Sequence, residues 1–244
     1  MGALVLGVSV QAPVVEKLAE WCSTRPLEPV AVVTPSWEAA LQLSRRVAER
    51  LADRACVGLH AMPPEGLVER LGAPALAEAG VLRLPPWGLE WLAERAARRV
   101  GGYYEAVVGR PGFARVLART VAFLRYHGVP PSRLDEVVRQ SSDEERPRWQ
   151  ALAAIYMAVN ANLAPAGPWE SEGRWADGAA VWWAAVQEVR RGRAPGRLGS
   201  SNLMVWAIPA PFDPGHLWYR LASALNTGAS GFSVEYLPLD LAEL

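Results

Sequence analysis

Strand-patterned and helix-patterned segments alternate along residues 3–59, and this constrains the fold more than any other feature. The apolar run at residues 3–8 contains Leu4-Val5-Leu6-Gly7. Pro13 follows, and proline suits the first turn of a helix because its missing N–H would be unpaired there. Val14, Val15, Leu18 and Trp21 then recur at helical spacing. Pro29 leads into Val30-Ala31-Val32-Val33, a short apolar run of the buried-strand type. Ser36 is placed to cap an amphipathic helix over 37–54, with Leu41, Val47 and Leu51 inward and Arg45, Arg46 and Arg50 outward. A third β-like run is expected at Ala55–Leu59. This β-α-β-α-β order predicts a parallel sheet with right-handed crossovers.

From about residue 64 the pattern changes to helix alone. Helices are expected over 64–72, 87–100, 111–128, 147–163 and 175–191, with a loop from Pro165 to Gly173. Gly128 and Pro130-Pro131 end the third of these, and Ser132 to Asp135 resembles a capping box for a further short helix. Residues 192–202 read as a linker. Strand character returns at Leu203–Ile208, Asp213-Pro214 starts a helix to about Asn226, and Phe232–Leu237 reads as a final strand. The expected fold is therefore α/β, a parallel P-loop (RecA-like) sheet interrupted by an all-helical insertion. Residues 1–63 with 200–244 form the α/β core, and residues 64–199 the insertion.

A chain of 244 residues that is 51% hydrophobic and 20% charged can bury a substantial core. Its formal net charge is zero, which gives no bulk electrostatic case for nucleic-acid binding but leaves room for a local patch. Cys22 and Cys56 stand alone and there are only three histidines, so neither a disulfide framework nor a structural zinc site is expected. No apolar run reaches membrane-spanning length and no basic region precedes Leu4, so the expectation is a cytoplasmic protein without a membrane partner.

The first strand stands where a nucleotide-binding loop would begin. From Gly7 the spacing Gly-x-x-x-x-Gly-Lys-Ser/Thr requires Gly, Lys and Ser/Thr at positions occupied by Ala12, Pro13 and Val14. Pro13 removes an N–H from any phosphate cradle, Ala12 adds a Cβ, and Val14 offers no oxygen to Mg²⁺. Lys17 is the only lysine of the chain and shares its helix with Glu16 and Glu20, a pattern that reads as a solvated face. The strand at 203–208 is followed by Pro209-Ala210-Pro211-Phe212 instead of an acidic pair, and Asp213 is better read as a helix cap. Gly7-Val8-Ser9-Val10-Gln11 lacks the last glycine of a hydrolase elbow. His60, His127 and His216 fall on different elements. No catalytic residue, metal or cofactor is therefore assigned. Arg95, Arg98, Arg99, Arg110, Arg115, Arg119 and Arg125 give the helical segment a basic tendency, read foremost as a solvated face and otherwise as a track for a phosphate backbone. Trp182 and Trp183 are neighbours on one helix and are not expected to share one core.

The order of elements resembles the N-terminal part of AddB-type subunits of bacterial helicase–nuclease complexes. The resemblance rests on Leu4-Val5-Leu6-Gly7, on Val30-Ala31-Val32-Val33-Thr34-Pro35-Ser36, and on Arg110-Pro111-Gly112-Phe113-Ala114-Arg115-Val116-Leu117 leading to Leu124-Arg125-Tyr126-His127-Gly128-Val129-Pro130. It ends with Leu203–Ile208 and Phe212-Asp213-Pro214. It implies a helicase-like, non-catalytic scaffold in DNA double-strand-break processing, with a helicase–nuclease subunit and DNA as partners. Thr34, Ser36, Arg110, Arg115, Arg119 and Arg125 are the expected contacts. The nuclease carboxylates and iron–sulfur cysteines of such subunits have no counterpart in these 244 residues, as in a fragment or a one-lobe protein. The other reading is a Rossmann-like α/β enzyme or small-ligand binder with a site near Gly7, Thr34 and Pro209.

Overall fold

The computed structural model describes residues 12–51, 57–194, 203–206, 216–227 and 233–236. The first strand-like run with Gly7, residues 207–215 with the expected helix start at Asp213, and Cys56 lie outside these residues. The described chain is mixed α/β.

The chain divides into two compact units. Among the described residues, the first comprises 12–51, 57–71, 188–194, 203–206, 222–227 and 233–236, and the second 72–187 and 216–221.

The first unit is built on helix α1 (Ala12–Thr24), strand β1 (Val30–Val33), helix α2 (Trp37–Arg50) and strand β2 (Leu59–Met62). Strands β5 (Leu203–Trp206) and β6 (Ser233–Tyr236) complete a four-stranded sheet in the order β2-β1-β5-β6, all parallel. Val30 lies opposite Leu59 on one side and Leu203 on the other. All four residues of β1 are buried, as a strand covered on both faces requires. Val14, Val15, Leu18 and Cys22 of α1 pack with Val30 and Val32 of β1 and with Leu43, Val47 and Leu51 from α2 and its end.

Two sequence expectations change here. The third strand is not at Ala55–Leu59: residues 57 and 58 precede it and the ladder begins at Leu59. Gly58 approaches the neighbouring chain too closely for a side chain, since a Cβ there would lie 2.5 Å from the Glu28 carbonyl oxygen. The strand then runs through His60 and Met62, which carry no strand signature. On α2, Leu41 faces solvent at 73% exposure and Leu43 takes the inner position. The buried residues Ala39, Ala40, Leu43 and Val47 define the inner stripe, two residues out of step with Leu41.

The second unit is helical. It contains the second half of α3 (Pro64–Glu78), then α4 (Gly88–Val100), a short 3₁₀ turn (Gly102–Tyr104), α5 (Phe113–Tyr126), α6 (Pro131–Gln140) and α7 (Arg146–Asn160). Most of α8 (Gly178–Arg190) and the first half of α9 (Leu217–Asn226) also belong to it. A two-stranded parallel ladder joins β3 (Leu82–Arg83) to β4 (Trp175–Ala176). The core gathers Leu92, Ala93 and Ala97 of α4, Leu117 and Val121 of α5, Leu134 of α6, and Ile155, Tyr156 and Val159 of α7. Helix α6 starts on Pro131 with Pro130 before it, so Ser132 lies inside the helix and does not cap it. Residues 175–176 are strand and not helix; α8 begins after Asp177, whose Oδ1 accepts from the Ala180 N–H at 3.0 Å.

Trp182 and Trp183 are both buried, although as neighbours on one helix they were not expected to share one core. Ala179, Ala180, Val181, Ala185, Val186 and Val189 are buried too, and α8 keeps only a narrow edge, with Ala184 and Gln187 half-buried and Arg190 exposed, on which neither indole falls.

Candidate functional site

In the first unit, the carboxyl end of the parallel sheet is where open α/β folds bind their ligands. There β1 runs into Thr34 and α2 starts after Ser36. Thr34 is buried; its N–H donates to the Met62 carbonyl at 2.9 Å and its hydroxyl to the Ser36 carbonyl at 3.0 Å. The Ser36 Oγ accepts from the Ala39 N–H at 3.2 Å, the helix cap expected of it. The Glu38 carboxyl is held below the usual carboxylate range, first by its own backbone N–H and then by the Ser36 hydroxyl. Thr34 and Ser36 thus use their polar atoms to shape the turn. What this edge offers outward is Trp37, exposed at 60%. Its ring lies against the backbone of α3: a Cβ on Gly66 would come within 2.8 Å of Cη2. A flat indole held against a glycine is a rigid platform, and no polarity pattern in the sequence pointed to it.

Of the degenerate loop, Ala12, Pro13 and Val14 form the first turn of α1, and Val14 is buried in the core. Gly7 lies outside the described residues.

The arginines of the second unit have separate environments. Arg110 is exposed and its Nε donates to the Ala106 carbonyl at 3.1 Å, just before Gly112 opens α5 in the left-handed conformation, φ +84°. Arg115 is exposed and lies 3.7 Å from Glu90. Arg119 is exposed on the same helix.

Arg125 is fully buried, which removes it from any surface contact with DNA or a partner. Its Nε and Nη2 donate to the two carboxylate oxygens of Asp177 at 2.7 and 3.0 Å, and Nη2 also reaches the Ala164 carbonyl at 2.7 Å. Nη1 donates to Asn160 Oδ1, and Asn160 Nδ2 donates to the Tyr156 carbonyl at 2.7 Å. One guanidinium fork thereby ties α5, α7, the following loop and the start of α8. The Tyr156 hydroxyl donates to the Val129 carbonyl at 2.7 Å. Burial pushes this phenol up to about 12, while Arg125 pulls the other way. The resemblance segment Leu124–Pro130 is therefore a structural hub.

His127 and His216, distant in sequence, meet with ring centroids 5.2 Å apart, and His216 stacks on Tyr126 at 5.7 Å. His216 Nδ1 accepts from the Trp218 N–H at 3.0 Å and caps α9. His60 sits in the other unit on β2, where burial and then Arg70 lower its pKa from the ordinary imidazole value. Among the described residues no group of three or more His, Cys, Asp or Glu side chains could hold a metal ion. No described helix is long and apolar enough to cross a membrane.

The signal that sequence reading missed is on α4. It counted Arg95, Arg98 and Arg99 as charges and left out the exposed Trp91 on the same helix and Trp87 at its N-cap. Compared with known proteins, the chain matches no family model and no curated protein sequence.

Proposed function

We propose that the chain is a non-catalytic, helicase-like scaffold of a cytoplasmic helicase–nuclease complex that processes DNA double-strand breaks, of the AddB type or a piece of such a subunit. In this reading the sheet is a RecA-like frame whose ATP chemistry is not used. The helical segment is its insertion and offers surfaces to DNA or to an active helicase–nuclease subunit.

One observation carries the reading. The four-stranded parallel sheet is assembled from two sequence segments that lie far apart, with β5 of the later segment beside β1 of the earlier one and helices between them in the chain. A P-loop frame interrupted after β2, its second described strand, and resumed at 203 has this arrangement. The exposed Trp37 platform at the carboxyl edge adds a surface at the place where such frames meet their ligands.

The test is co-expression with the product of a neighbouring gene that carries an intact P-loop. A stable complex, with MgATP turnover only in the partner, is the expected result. Turnover by this chain alone that is lost on substitution of Gly7 or Pro13 would remove the non-catalytic assignment. Failure to form the complex would remove the scaffold. A small molecule retained through native mass spectrometry would transfer the case to a ligand-binding α/β protein.

A further inference from the structure

Helix α4 and its N-cap carry an exposed line of side chains outside the core. Its inner face, Leu92, Ala93, Ala96 and Ala97, is buried in the helical core. On the outer side Trp91, Arg95 and Arg99 continue at four-residue steps from Trp87, the N-cap residue, whose backbone is already in the helical region, a rise of about 6 Å per step along one side. Trp87 is 64% exposed and Trp91 50%. The Arg95 guanidinium lies 5.0 Å from the centre of the Trp91 ring. Beside the two arginines a cavity of about 60 Å³ opens between α4 and the end of α7, lined by Leu92, Arg95, Ala96, Arg99, Ala158 and Asn162.

The charges on this helix are unevenly matched. Its carboxylates are Glu90 and Glu94; Arg115 lies 3.7 Å from the first and Arg98 is 2.6 Å from the second. Among the described residues Arg95 and Arg99 form no ion pair. Two planar cations therefore follow two exposed indoles.

We propose that this stripe binds single-stranded nucleic acid, with bases stacked on Trp87 and Trp91 and phosphates held by Arg95 and Arg99. The assignment rests on the nucleic-acid side of the function proposed above. Aromatic faces followed by guanidinium forks supply the two contacts that sequence-tolerant single-strand binders combine. A duplex hides its base faces, so it would engage the arginines alone. An acidic peptide would also engage the arginines, but it offers nothing flat to two exposed rings.

The experiment measures anisotropy and tryptophan quenching with the full chain and a labelled oligothymidylate of roughly 20 nucleotides at about 50 mM salt. A duplex of the same length and polyglutamate serve as competitors. Trp91→Ala is expected to weaken binding about tenfold, and Trp91→Phe to recover most of it. Arg95→Glu/Arg99→Glu is expected to reduce the slope of log affinity against log salt by about two. Both sets lie on the surface, and unchanged melting curves verify their folding. If wild type binds and neither variant weakens it, this surface is wrong while the scaffold reading stands. If the chain assembles with its P-loop partner but ignores oligothymidylate, the inference falls alone; if it does neither, both fall. Preference for polyglutamate over oligothymidylate overturns it in favour of an acidic peptide.

Discussion

Replacing Arg125 by Met should be among the most damaging single changes in the helical unit. The guanidinium is fully buried and makes a bidentate pair with Asp177, itself 7% exposed. Removing the cation leaves the carboxylate desolvated with the Ala180 N–H as its remaining short contact among these bonds. It also strips Asn160 Oδ1 and the Ala164 carbonyl of their donor. Breaking a buried pair on one side costs about 3–5 kcal/mol, because an uncompensated charge remains inside. For a chain of this length that corresponds to a fall in Tm of roughly 10 °C or more. Urea unfolding followed by circular dichroism reads the effect directly. The double variant Arg125→Met/Asp177→Asn removes the stranded charge while keeping an N-cap oxygen for α8, and should recover more than half of the loss. Arg125→Lys keeps the charge without the fork and should fall in between. A loss below about 1 kcal/mol in Arg125→Met, or no recovery in the double variant, would refute the uncompensated-charge account.

Gly72→Ala separates two effects of opposite sign. Helix propensity favours alanine inside α3 by about 1 kcal/mol. The new Cβ, however, would lie 2.2 Å from the Val181 carbonyl oxygen of α8. Two backbones must then part, so chemical denaturation should show a net loss of about 1–3 kcal/mol; a gain would mean that this approach is not close. Ser36→Ala removes the hydroxyl that accepts from the Ala39 N–H and should cost about 1 kcal/mol in the same assay. The pH dependence follows from Tyr156. Its folded-state value of about 12 lies above the value of about 10 for a free phenol. Its contribution is therefore complete below about pH 10 and is lost as pH rises toward 12. Tm measured between about pH 9 and pH 11 should fall more steeply in wild type than in Tyr156→Phe; parallel curves would count against the assignment.

The elements that sequence made legible are those whose pattern has one physical cause. Val30–Val33 is apolar throughout because β1 is a central parallel strand buried on both faces, and such a strand can hardly look otherwise. Ser36 and the helix after it were readable because capping is local. The strand at Leu59–Met62 was not, because its place is fixed by pairing with β1 and by the closeness of Gly58 to Glu28, and neither leaves an apolar run. The burial of Trp182 and Trp183 escaped for a similar reason. Periodicity assumes that a helix has a broad outside, and on α8 only Gly178, Ala184, Gln187 and the terminal Arg190 are not buried.

The arginines of the helical unit show where reading charge alone fails. Arg125 and Arg119 are six residues apart on α5 and look alike in sequence, yet one is fully buried on Asp177 and the other is exposed. The partner that decides between them, Asp177, is 52 residues away, where the pattern predicts the inside of a helix and the chain instead forms β4 and the start of α8. A count of cations along the helices therefore overstates the charge available to a phosphate chain at Arg125. It also misses the place where cation and aromatic surface coincide. That place was readable in principle, since Trp87, Trp91, Arg95 and Arg99 recur at one helical step. The step becomes informative only when Leu92, Ala93, Ala96 and Ala97 are known to be buried, because this fixes the tryptophans on the opposite side from the core. Among the arginines first singled out, exposure and freedom from ion pairs among the described residues separate Arg95, Arg99, Arg110 and Arg119 from Arg98, Arg115 and Arg125; Arg95 and Arg99 also continue the line of the exposed Trp87 and Trp91, and nucleic-acid contact by the helical unit should follow that division rather than the overall charge.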